Sequence, residues 1–549
     1  MKKDAIAGCG GAGKAARAAV FAFLAACAAQ CSGAASPAAA RKVVNIVNFA
    51  RSLDPRHPKE RHERVLREEV ALNLEYGFKN TILFQYDALV DDTLRNIALR
   101  SDPAKTEFGL WFEMSRPLNE AAGVPWRPKH NPKWEWDWYI NPGFLMAYTH
   151  AERKALIDAA FAKFKEYFGR YPESAGSWLL DAWSMDYMAE TYGVDAFCIC
   201  REQDNTDAYG LRGGYSNGAY YPSKRNMLSA AVDMSNAVKS PVFKMLTPDP
   251  IYNYAWPHKR YPRFKYGNLC TTMEPVNHPS GDTPQMIEWY FRTYLDAPAL
   301  NLVYMQTGQE NSFSWKSIQK GLEYQLKRID ELSKAGKVEV ETLGETGRRF
   351  KKDHPRNCPQ IQVGLEDWTG CGRNSIWYNC RHYRANLFLD EGKLYFRDIH
   401  KMCDAFEEPF LDKVCTGWKA EYYTPPVVDE HMFSDRKNGV AGVLAFDGAF
   451  EKLEASARPC GVLVATALRK DGSKAVAIFD ERGMTVSSAN LEADWKQGFR
   501  KDVSFRGGIA TFKFLGFGYS VGFEGDVEET PTGARIAPRA GKIRLDLSL

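Results

Sequence analysis

The chain has 549 residues, which is enough for at least two domains. Its 72 basic and 68 acidic residues leave a formal net charge of +4, and so small an excess argues against a nucleic-acid partner. Aromatic residues make up 13% of the chain, a content that is typical of proteins that handle sugars and also of large aromatic cores.

Residues 1–40 have the composition of an export signal. Lys2, Lys3, Lys14 and Arg17 precede the short apolar run AAVFAFLAAC, and small residues follow it. The segment 24–27 (LAAC) resembles a bacterial lipobox, in which the cysteine is lipidated after cleavage, and ordinary signal cleavage fits equally well. We therefore expect an exported protein, periplasmic, secreted or a cell-surface lipoprotein, with no membrane contact beyond a possible N-terminal lipid anchor.

Strand and helix patterns alternate from residue 43 to about 335. Amphipathic stretches predict helices over 60–77 and 149–169, the second with Thr149 as N-cap and Gly169 as C-cap. Apolar runs predict strands at 43–50, 81–89, 107–115, 175–180, 194–200, 242–250 and 301–310. Because strands separated by helices indicate a parallel sheet, we predict an α/β fold, a TIM-like barrel of seven or eight (β/α) units over residues 41–345.

The pattern changes after residue 345. Alternating apolar and polar positions, as in GVLVATALRKDGSKAVAIFD, are joined by turn signals such as Asp471-Gly472. These features predict an all-β sandwich over residues 346–549.

Acidic residues follow most of the predicted barrel strands. The working groups of parallel barrels lie at the carboxyl ends of the strands. Carboxylates that meet at one mouth repel each other and shift each other's pKa values, so as a set they predict a functional mouth, although each alone could be a cap or a solvated loop residue. The acidic residues at strand ends are Asp87, Glu113, Asp181, Glu202, Asp204, Asp249 and Glu310.

The stretch over 164–197 resembles a known superfamily. A helix ending FGRYPES, a strand AGSWLLD and a helix ending ETYGVDAF are similar to the glycoside hydrolase/deacetylase superfamily of incomplete (β/α)7 barrels. Residues 178–181 (WLLD) resemble the W-L-P-E motif that places the nucleophile in its retaining glycosidases, and residues 169–172 (GRYP) resemble the G-x-x-P of its polysaccharide deacetylases. The whole chain also resembles secreted, uncharacterised two-domain proteins of gut bacteria.

The metal-binding motifs of the deacetylase branch are missing from this chain. Members of that branch use an Asp-Asp pair after the first strand and an H-x-x-x-H motif, whereas here Asp54 stands alone and the ten histidines form no such motif. A three-ligand zinc site is therefore not expected. The resemblance then implies a metal-independent and cofactor-independent glycoside hydrolase acting on oligo- or polysaccharides. A non-catalytic glycan-binding protein and, less favoured, a deacetylase stay alternatives.

The resemblance makes Asp181 the candidate nucleophile, although Asp181 could equally cap the helix that follows it. Because strand side chains alternate, we expect Leu179 in the barrel core and Asp181 at the mouth. Glu310 is the candidate acid and Glu274 the reserve acid. The predicted substrate-binding residues are Asp87, Glu113, Trp178, Asp204, Asp249, Gln306 and the three tryptophans of the loop PKWEWDWYINPG, Trp134, Trp136 and Trp138, whose flat rings suit sugars.

Overall fold

The computed structural model describes residues 40–204, 208–253, 271–435, 437–488, 491–498 and 502–549. The export signal falls almost entirely on residues outside these ranges and stays a prediction. Within the described ranges, no helix is long and apolar enough to cross a membrane.

Seven parallel strands form a nearly closed barrel. They are β1 (Arg41–Ala50), β2 (Asn80–Gln85), β3 (Thr106–Trp111), β4 (Ser174–Ser177), β5 (Ala196–Ile199), β6 (Val242–Lys244) and β7 (Leu302–Thr307). They are hydrogen-bonded in the order β7-β1-β2-β3-β4-β5-β6. Across the remaining gap, the N–H of Thr247 donates to the carbonyl oxygen of Gln306 at 3.2 Å. Each of the seven predicted strands is present, which confirms the barrel.

Helices surround this sheet. They are α1 (His62–Tyr76), α2 (Tyr86–Val90), α3 (Asp92–Ala98), α4 (Arg116–Ala121), α5 (Ile140–Gly143), α6 (His150–Phe168), α7 (Ala182–Tyr192), α8 (Pro284–Leu295), α9 (Trp315–Lys334) and α10 (Leu343–Asp353), with short 3-10 turns at Leu145–Ala147 and Met234–Asn236. Helix α6 begins with a capping box between Thr149 and Glu152 and ends at Gly169, whose φ is +71°. Both predicted caps of this helix are therefore confirmed.

The amino-terminal ends of the barrel strands are covered by α10. The N–H of Leu343 donates to Oγ1 of Thr81 at 2.9 Å, and the N–H of Gly344 donates to Oε2 of Glu107 at 2.9 Å. The short strand Glu339–Glu341 also pairs in parallel with β1. The boundary predicted at residue 345 thus falls inside a helix that belongs to the barrel, and the strands of the second part begin at Gln360.

Two antiparallel sheets build the second part. The first sheet contains Gln360–Gly364, Asn374–Asn379, Tyr383–Asp390, Lys393–Lys401, Pro426–Asp429, Leu444–Phe446, Ala493–Lys496, Asp526–Thr530 and Gly533–Ala537. The second contains Phe450–Arg458, Val462–Arg469, Lys474–Asp480, Gly483–Ser488, Val503–Arg506, Ile509–Phe514, Phe517–Glu524 and Lys542–Asp546, with a 3-10 turn at Pro459–Gly461. The ring of Phe479, in the second sheet, packs on the rings of Tyr378 and Phe396 in the first sheet, with centroid distances of 5.6 and 5.9 Å. The two sheets therefore share one core and form a sandwich.

Short strands connect the two parts of the chain. The connection between β5 and β6 contains Gln203–Asp204, Tyr209–Arg212, Ala219–Tyr220, Pro222–Ser223 and Asn226–Ala230. One of these strands, Tyr209–Arg212, pairs in parallel with Ala420–Tyr423, which comes from the second part. The barrel and the sandwich are therefore joined by main-chain hydrogen bonds as well as by side chains.

Candidate functional site

Three barrel strands bring their following residues together around one buried guanidinium group. Arg51 follows β1, and its side chain is completely buried. Its Nη2 atom lies 2.7 Å from Oε2 of Glu113, after β3, and 2.6 Å from Oε2 of Glu310, after β7. Its Nη1 atom lies 3.4 Å from Oδ2 of Asp54. The structure therefore brings Glu113 and Glu310, two of the predicted site residues, into one ion-pair cluster.

The separation of the two glutamates follows from their shared partner. Their Oε2 atoms lie 2.7 and 2.6 Å from the same Nη2 of Arg51, so they can be no farther apart than the sum of these distances, about 5.3 Å. Retaining glycosidases place their two carboxyl groups about 5–5.5 Å apart and inverting ones about 6.5–9.5 Å apart. The upper limit of about 5.3 Å between these two oxygen atoms is compatible with the retaining arrangement and is shorter than the inverting one.

Local backbone geometry holds Glu310 beside Arg51. After β7 the chain passes through Gly308, whose φ is +126°, a conformation that favours glycine. It then pairs with β1 again, because the N–H of Phe49 donates to Gln309 and the N–H of Asn311 donates back to Phe49, both at 3.3 Å.

Burial and charge set the protonation of this cluster. Burial raises the pKa of Glu113 to about 7, with Arg51 opposing the rise and Glu310 adding to it. Burial also raises the pKa of Glu310, against the charges of Arg51 and Arg56. Burial alone would raise the pKa of Asp54 too, but hydrogen bonds from Arg56 and the charge of Arg51 outweigh it and hold the pKa at about 2. Near neutral pH the cluster therefore contains a carboxyl group that can give up a proton.

Aromatic side chains enclose the glutamate pair. The guanidinium groups of Arg51 and Arg56 each lie 4.7 Å from the ring of Trp136. On the inner side, Trp111 donates its indole N–H to Oε2 of Glu113 at 2.7 Å, and Trp178 packs edge-on against Trp111 at 5.5 Å. The predicted Trp136 and Trp178 therefore both belong to the surroundings of the pair.

A cleft of about 650 Å³ opens beside this cluster. Asp54, Trp134 and Trp136 are among its lining residues. The ring of Trp138 lies 5.2 Å from that of Trp134 and 6.0 Å from that of Trp136, so the three predicted tryptophans are neighbours. The volume is in the range of pockets for small organic ligands, which span roughly 300–1,000 Å³.

Asp181 does not join the cluster around Arg51. It is completely buried as the N-cap of α7, where Oδ1 accepts from the N–H of Ser184 at 3.0 Å and from Arg153 at 2.9 Å. The expectation that it faces the mouth assumed a strand through Leu180, but β4 ends at Ser177, so strand alternation does not reach Asp181. The capping alternative describes its contacts in the structure.

Glu274 lies near the cluster but has other partners, and Gln306 contacts the strand ends on the opposite side of the barrel gap. Glu274 accepts from Asn277 at 2.7 Å and from Gln309 at 2.9 Å, and its charge contributes to the raised pKa of Glu310. Gln306 accepts from the N–H of Leu246 at 2.7 Å and so holds the closing edge of the barrel.

The other predicted acids hold loops. Oδ2 of Asp87 accepts from the N–H groups of Ser52 and Leu53 at 2.8 and 2.7 Å, which shapes the loop after Arg51. Asp249 accepts from the N–H of Ile251 at 2.7 Å and from the indole of Trp368 at 2.8 Å. Asp204 lies in a two-residue strand, and its side chain is outside the described residues.

Sequence reasoning missed Arg51 and Arg56, which organise the cluster. The available signal was the segment NFARSLDPR, which places two arginines after the first strand among acids expected at the same mouth. A buried acidic cluster needs compensating positive charge, and these arginines are the nearest source of it.

A second charged cluster joins the barrel to the sandwich. Arg384 binds both carboxylate oxygens of Asp398, at 2.9 and 2.7 Å, and also pairs with Glu202. His400 lies 2.9 Å from Asp429 and 3.6 Å from Asp398. In the part of the chain that the structure describes, Asp398, His400 and Asp429 form the one group with the spacing of metal ligands. Because Arg384 already occupies both oxygens of Asp398, the group fits a salt-bridge network better than a metal site.

Comparison with known proteins supports the fold. No protein-family model matches the chain, and no curated protein matches it either. A crystal structure of a "putative glycoside hydrolase/deacetylase" from Parabacteroides distasonis matches with a TM-score of 0.50 and 14% sequence identity, over 73% of this chain and 96% of that one. At this identity the match establishes a shared fold, and it confirms the predicted resemblance at that level.

Proposed function

We propose that the protein is a glycoside hydrolase whose catalytic pair is Glu113 and Glu310. The observation that carries the proposal is that both carboxyl groups contact one nitrogen of Arg51, which keeps their Oε2 atoms no more than about 5.3 Å apart. The fold shared with a protein described as a glycoside hydrolase/deacetylase agrees with this proposal. The expected export of the chain would give the enzyme access to glycans outside the cytoplasm.

The two glutamates take different roles in the proposed reaction. Glu113, with a pKa of about 7, keeps a proton near neutral pH and protonates the leaving oxygen of the glycosidic bond. Burial raises the pKa of Glu310 too, and Arg51 and Arg56 oppose that rise at both glutamates; Glu310 takes the second role and attacks the anomeric carbon in its ionised form. Water then releases the sugar, with Glu113 acting as base, and the anomeric configuration is retained.

Trp134, at the edge of the cleft, supplies the binding surface, and the buried Trp136 lies behind it. A sugar ring has apolar C–H faces and polar edges, so it packs on an indole while its hydroxyl groups meet charged neighbours. Trp134 and Trp136 line the cleft together with Asp54. Oδ2 of Asp54 also lies 2.8 Å from Nη2 of Arg56 and so holds that side chain in place. Glu113 and Glu310 are not among the residues that line the cleft, so a substrate bound there would have to reach them past Asp54 and Trp136.

A screen of soluble polysaccharides and p-nitrophenyl glycosides tests the proposal. We expect Glu113→Gln and Glu310→Gln each to lower kcat by at least about 100-fold, the usual contribution of an acid or base. The control is Glu107→Gln, a buried glutamate near the opposite end of β3, which should keep its turnover per folded molecule. Full turnover in either mouth variant, with an unchanged Tm, would rule out the pair.

Glycan binding without catalysis is the second candidate, and one observation favours it. Glu113 and Glu310 are only 2% and 4% exposed, and Arg51 compensates their charge, as expected for a structural ion-pair cluster. Under this alternative, the wild-type protein binds a glycan in calorimetry but hydrolyses none of the screened substrates.

A further inference from the structure

We infer that a strip of aromatic side chains that extends from the edge of the cleft binds a second portion of the substrate, so that the substrate is a glycan chain and not a single glycosyl unit. The inference rests on the proposed function for the identity of the ligand. The strip, called the aromatic strip below, consists of Trp134, Trp138, His130, Tyr139 and Trp418.

The rings of the aromatic strip follow one another without a gap. The centroid distances are 5.2 Å from Trp134 to Trp138, 4.6 Å from Trp138 to His130, 3.6 Å from His130 to Tyr139 and 5.2 Å from Tyr139 to Trp418. Trp134 also lines the cleft. The aromatic strip therefore begins at the cleft beside the glutamate pair and ends at Trp418.

Trp418 is unusual in its exposure. It is 59% exposed, whereas Trp111, Trp136, Trp289 and Trp495 are at most 3% exposed. In the described ranges it is the one tryptophan among the exposed large apolar side chains. Single exposed apolar residues are common, but an exposed indole that continues a row of other rings marks an interaction surface.

The main chain, and not the indole, fixes the position of Trp418. The N–H of Ile140 donates to the carbonyl oxygen of Trp418 at 3.1 Å, and the N–H of Cys415 donates to that of Met146 at 2.8 Å. These bonds attach a segment that follows the barrel to the tryptophan loop of the barrel. The indole can therefore be replaced with little effect on the fold, and its exposed position is not a requirement of packing.

The middle of the aromatic strip is also held in place. Asp137 is completely buried and lies 2.9 Å from Nδ1 of His130, and it accepts from the N–H of Tyr139 at 3.2 Å. The two stacked rings are thus fixed before any ligand binds, which lowers the entropy cost of binding.

A glycan chain is the occupant that this surface fits best. Trp134 and Trp418, at the two ends of the aromatic strip, can pack on the apolar faces of sugars, while His130 and Tyr139 stack on each other between them. The strip leads to the cleft that lies beside the glutamate pair. Lys133 and Glu135, on either side of Trp134 in sequence, provide polar groups of opposite charge for hydroxyls and give no net charge that would select an ionic partner.

The test uses the full-length protein with Trp418→Ala and Trp418→Phe. Affinity electrophoresis in gels that contain xylan, glucomannan, galactomannan or β-glucan measures binding without requiring hydrolysis. We expect at least one polysaccharide to retard the wild type, Trp418→Ala to weaken that binding about tenfold, and Trp418→Phe to restore most of it, since a stacking contact of this size corresponds to roughly one order of magnitude. The Tm should stay unchanged.

The outcomes separate this inference from the proposed function. Weakened binding by Trp418→Ala in a protein that hydrolyses nothing supports the aromatic strip and contradicts the hydrolase. Hydrolysis with equal binding by wild type and Trp418→Ala contradicts the aromatic strip alone. The inference is overturned if none of the four polysaccharides retards the wild type. It is also overturned if sedimentation shows a dimeric wild type and a monomeric Trp418→Ala, because the surface would then be a contact between two copies.

Discussion

Arg51 has three carboxylates around a fully buried guanidinium group, and this arrangement controls the charge of the mouth. A buried cation is stable only with nearby negative partners, and two glutamates at most about 5.3 Å apart cannot both ionise easily without a cation between them. In the proposed reaction, Arg51 would allow Glu310 to be ionised while Glu113 keeps its proton. Asp54, with a pKa near 2, supplies permanent negative charge that holds Arg51 and Arg56.

The raised pKa of Glu113 predicts a pH-dependent stability. Burial raises this pKa from 4.5 to about 7, so the fold favours the protonated form. The contribution of Glu113 to stability is fully present below pH 4.5 and is lost as the pH rises through 7. Relative to Glu113→Gln, we expect the free energy of unfolding of the wild type to fall by about 3 kcal/mol between pH 4.5 and 7.5, because folding raises the pKa of Glu113 from 4.5 to about 7. Urea unfolding measures it, and parallel pH profiles of the two proteins would contradict it.

Asp181 is expected to matter for stability and not for turnover. Asp181→Asn keeps an oxygen that can accept from Ser184, because Asn caps helices about as well as Asp, but it removes the negative partner of Arg153. We expect a loss of about 2–3 kcal/mol in the free energy of unfolding, as for a buried hydrogen bond to a charged group, with unchanged activity per folded molecule. A stable variant without turnover would restore Asp181 as the nucleophile.

Single residues also show what sequence could and could not predict. The acids after β3 and β7 and the three tryptophans were predicted because each follows a recognisable strand or loop pattern. Arg51 was missed because its role depends on Glu113, 62 positions away, and on strand order, neither of which a local pattern contains. Asp181 is predicted at the mouth because the sequence pattern is the same for both alternatives. An acid at a strand end and an acid that caps a helix each follow an apolar run and precede a helix.

Among the elements, every predicted barrel strand is present, but several strands are shorter than predicted. The run at 175–180 is apolar throughout, but β4 ends at Ser177, and the carbonyl oxygen of Trp178 accepts from the N–H of Cys200 at 3.1 Å as the chain turns. The apolar residues after Ser177 are buried by side-chain packing and are not part of the hydrogen-bonded strand. Hydrophobicity alone cannot distinguish these two kinds of burial.

The turn after β7 is the element on which the position of Glu310 depends. Gly308 has φ +126°, and a Cβ placed there would overlap the carbonyl oxygen of Val47. We expect Gly308→Ala to shift Glu310 away from Arg51, to lower turnover and to lower the Tm. The matched control is Gly169→Ala, also at positive φ (+71°) but with open space around the new Cβ, which should cost only about 1 kcal/mol. Equal stability losses and full activity for both variants would contradict this role of the turn.

In the whole molecule, the barrel and the sandwich are joined by shared apolar packing, by main-chain hydrogen bonds and by buried charge. The spacing of apolar residues along the chain was enough to predict a barrel followed by a sandwich, because strands alternate with helices in the first part and strands follow one another in the second. The contacts between them were not predictable, since Glu202 of the barrel meets Arg384 of the sandwich only in the folded chain. The aromatic strip likewise combines a barrel loop with Trp418.

Arg384→Met should loosen this junction. The change leaves Asp398 and Glu202 buried without their cation, and we expect a loss of about 3–5 kcal/mol in the free energy of unfolding. The control is Arg381→Met, whose side chain is 28% exposed and lies 3.6 Å from Glu481, and which should cost at most about 1 kcal/mol. Differential scanning calorimetry measures both, and similar Tm values for the two variants would show that the buried network contributes little.

The stereochemistry of hydrolysis tests the assigned pair of glutamates most directly. Proton NMR can follow the anomeric signal of the first product formed from a cleaved glycoside, before mutarotation mixes the anomers. Because Arg51 keeps the Oε2 atoms of Glu113 and Glu310 within about 5.3 Å of each other, the proposed pair predicts a first product with the same anomeric configuration as the bond that was cut. A first product of inverted configuration would require carboxyl groups farther apart and would contradict the assignment of this pair.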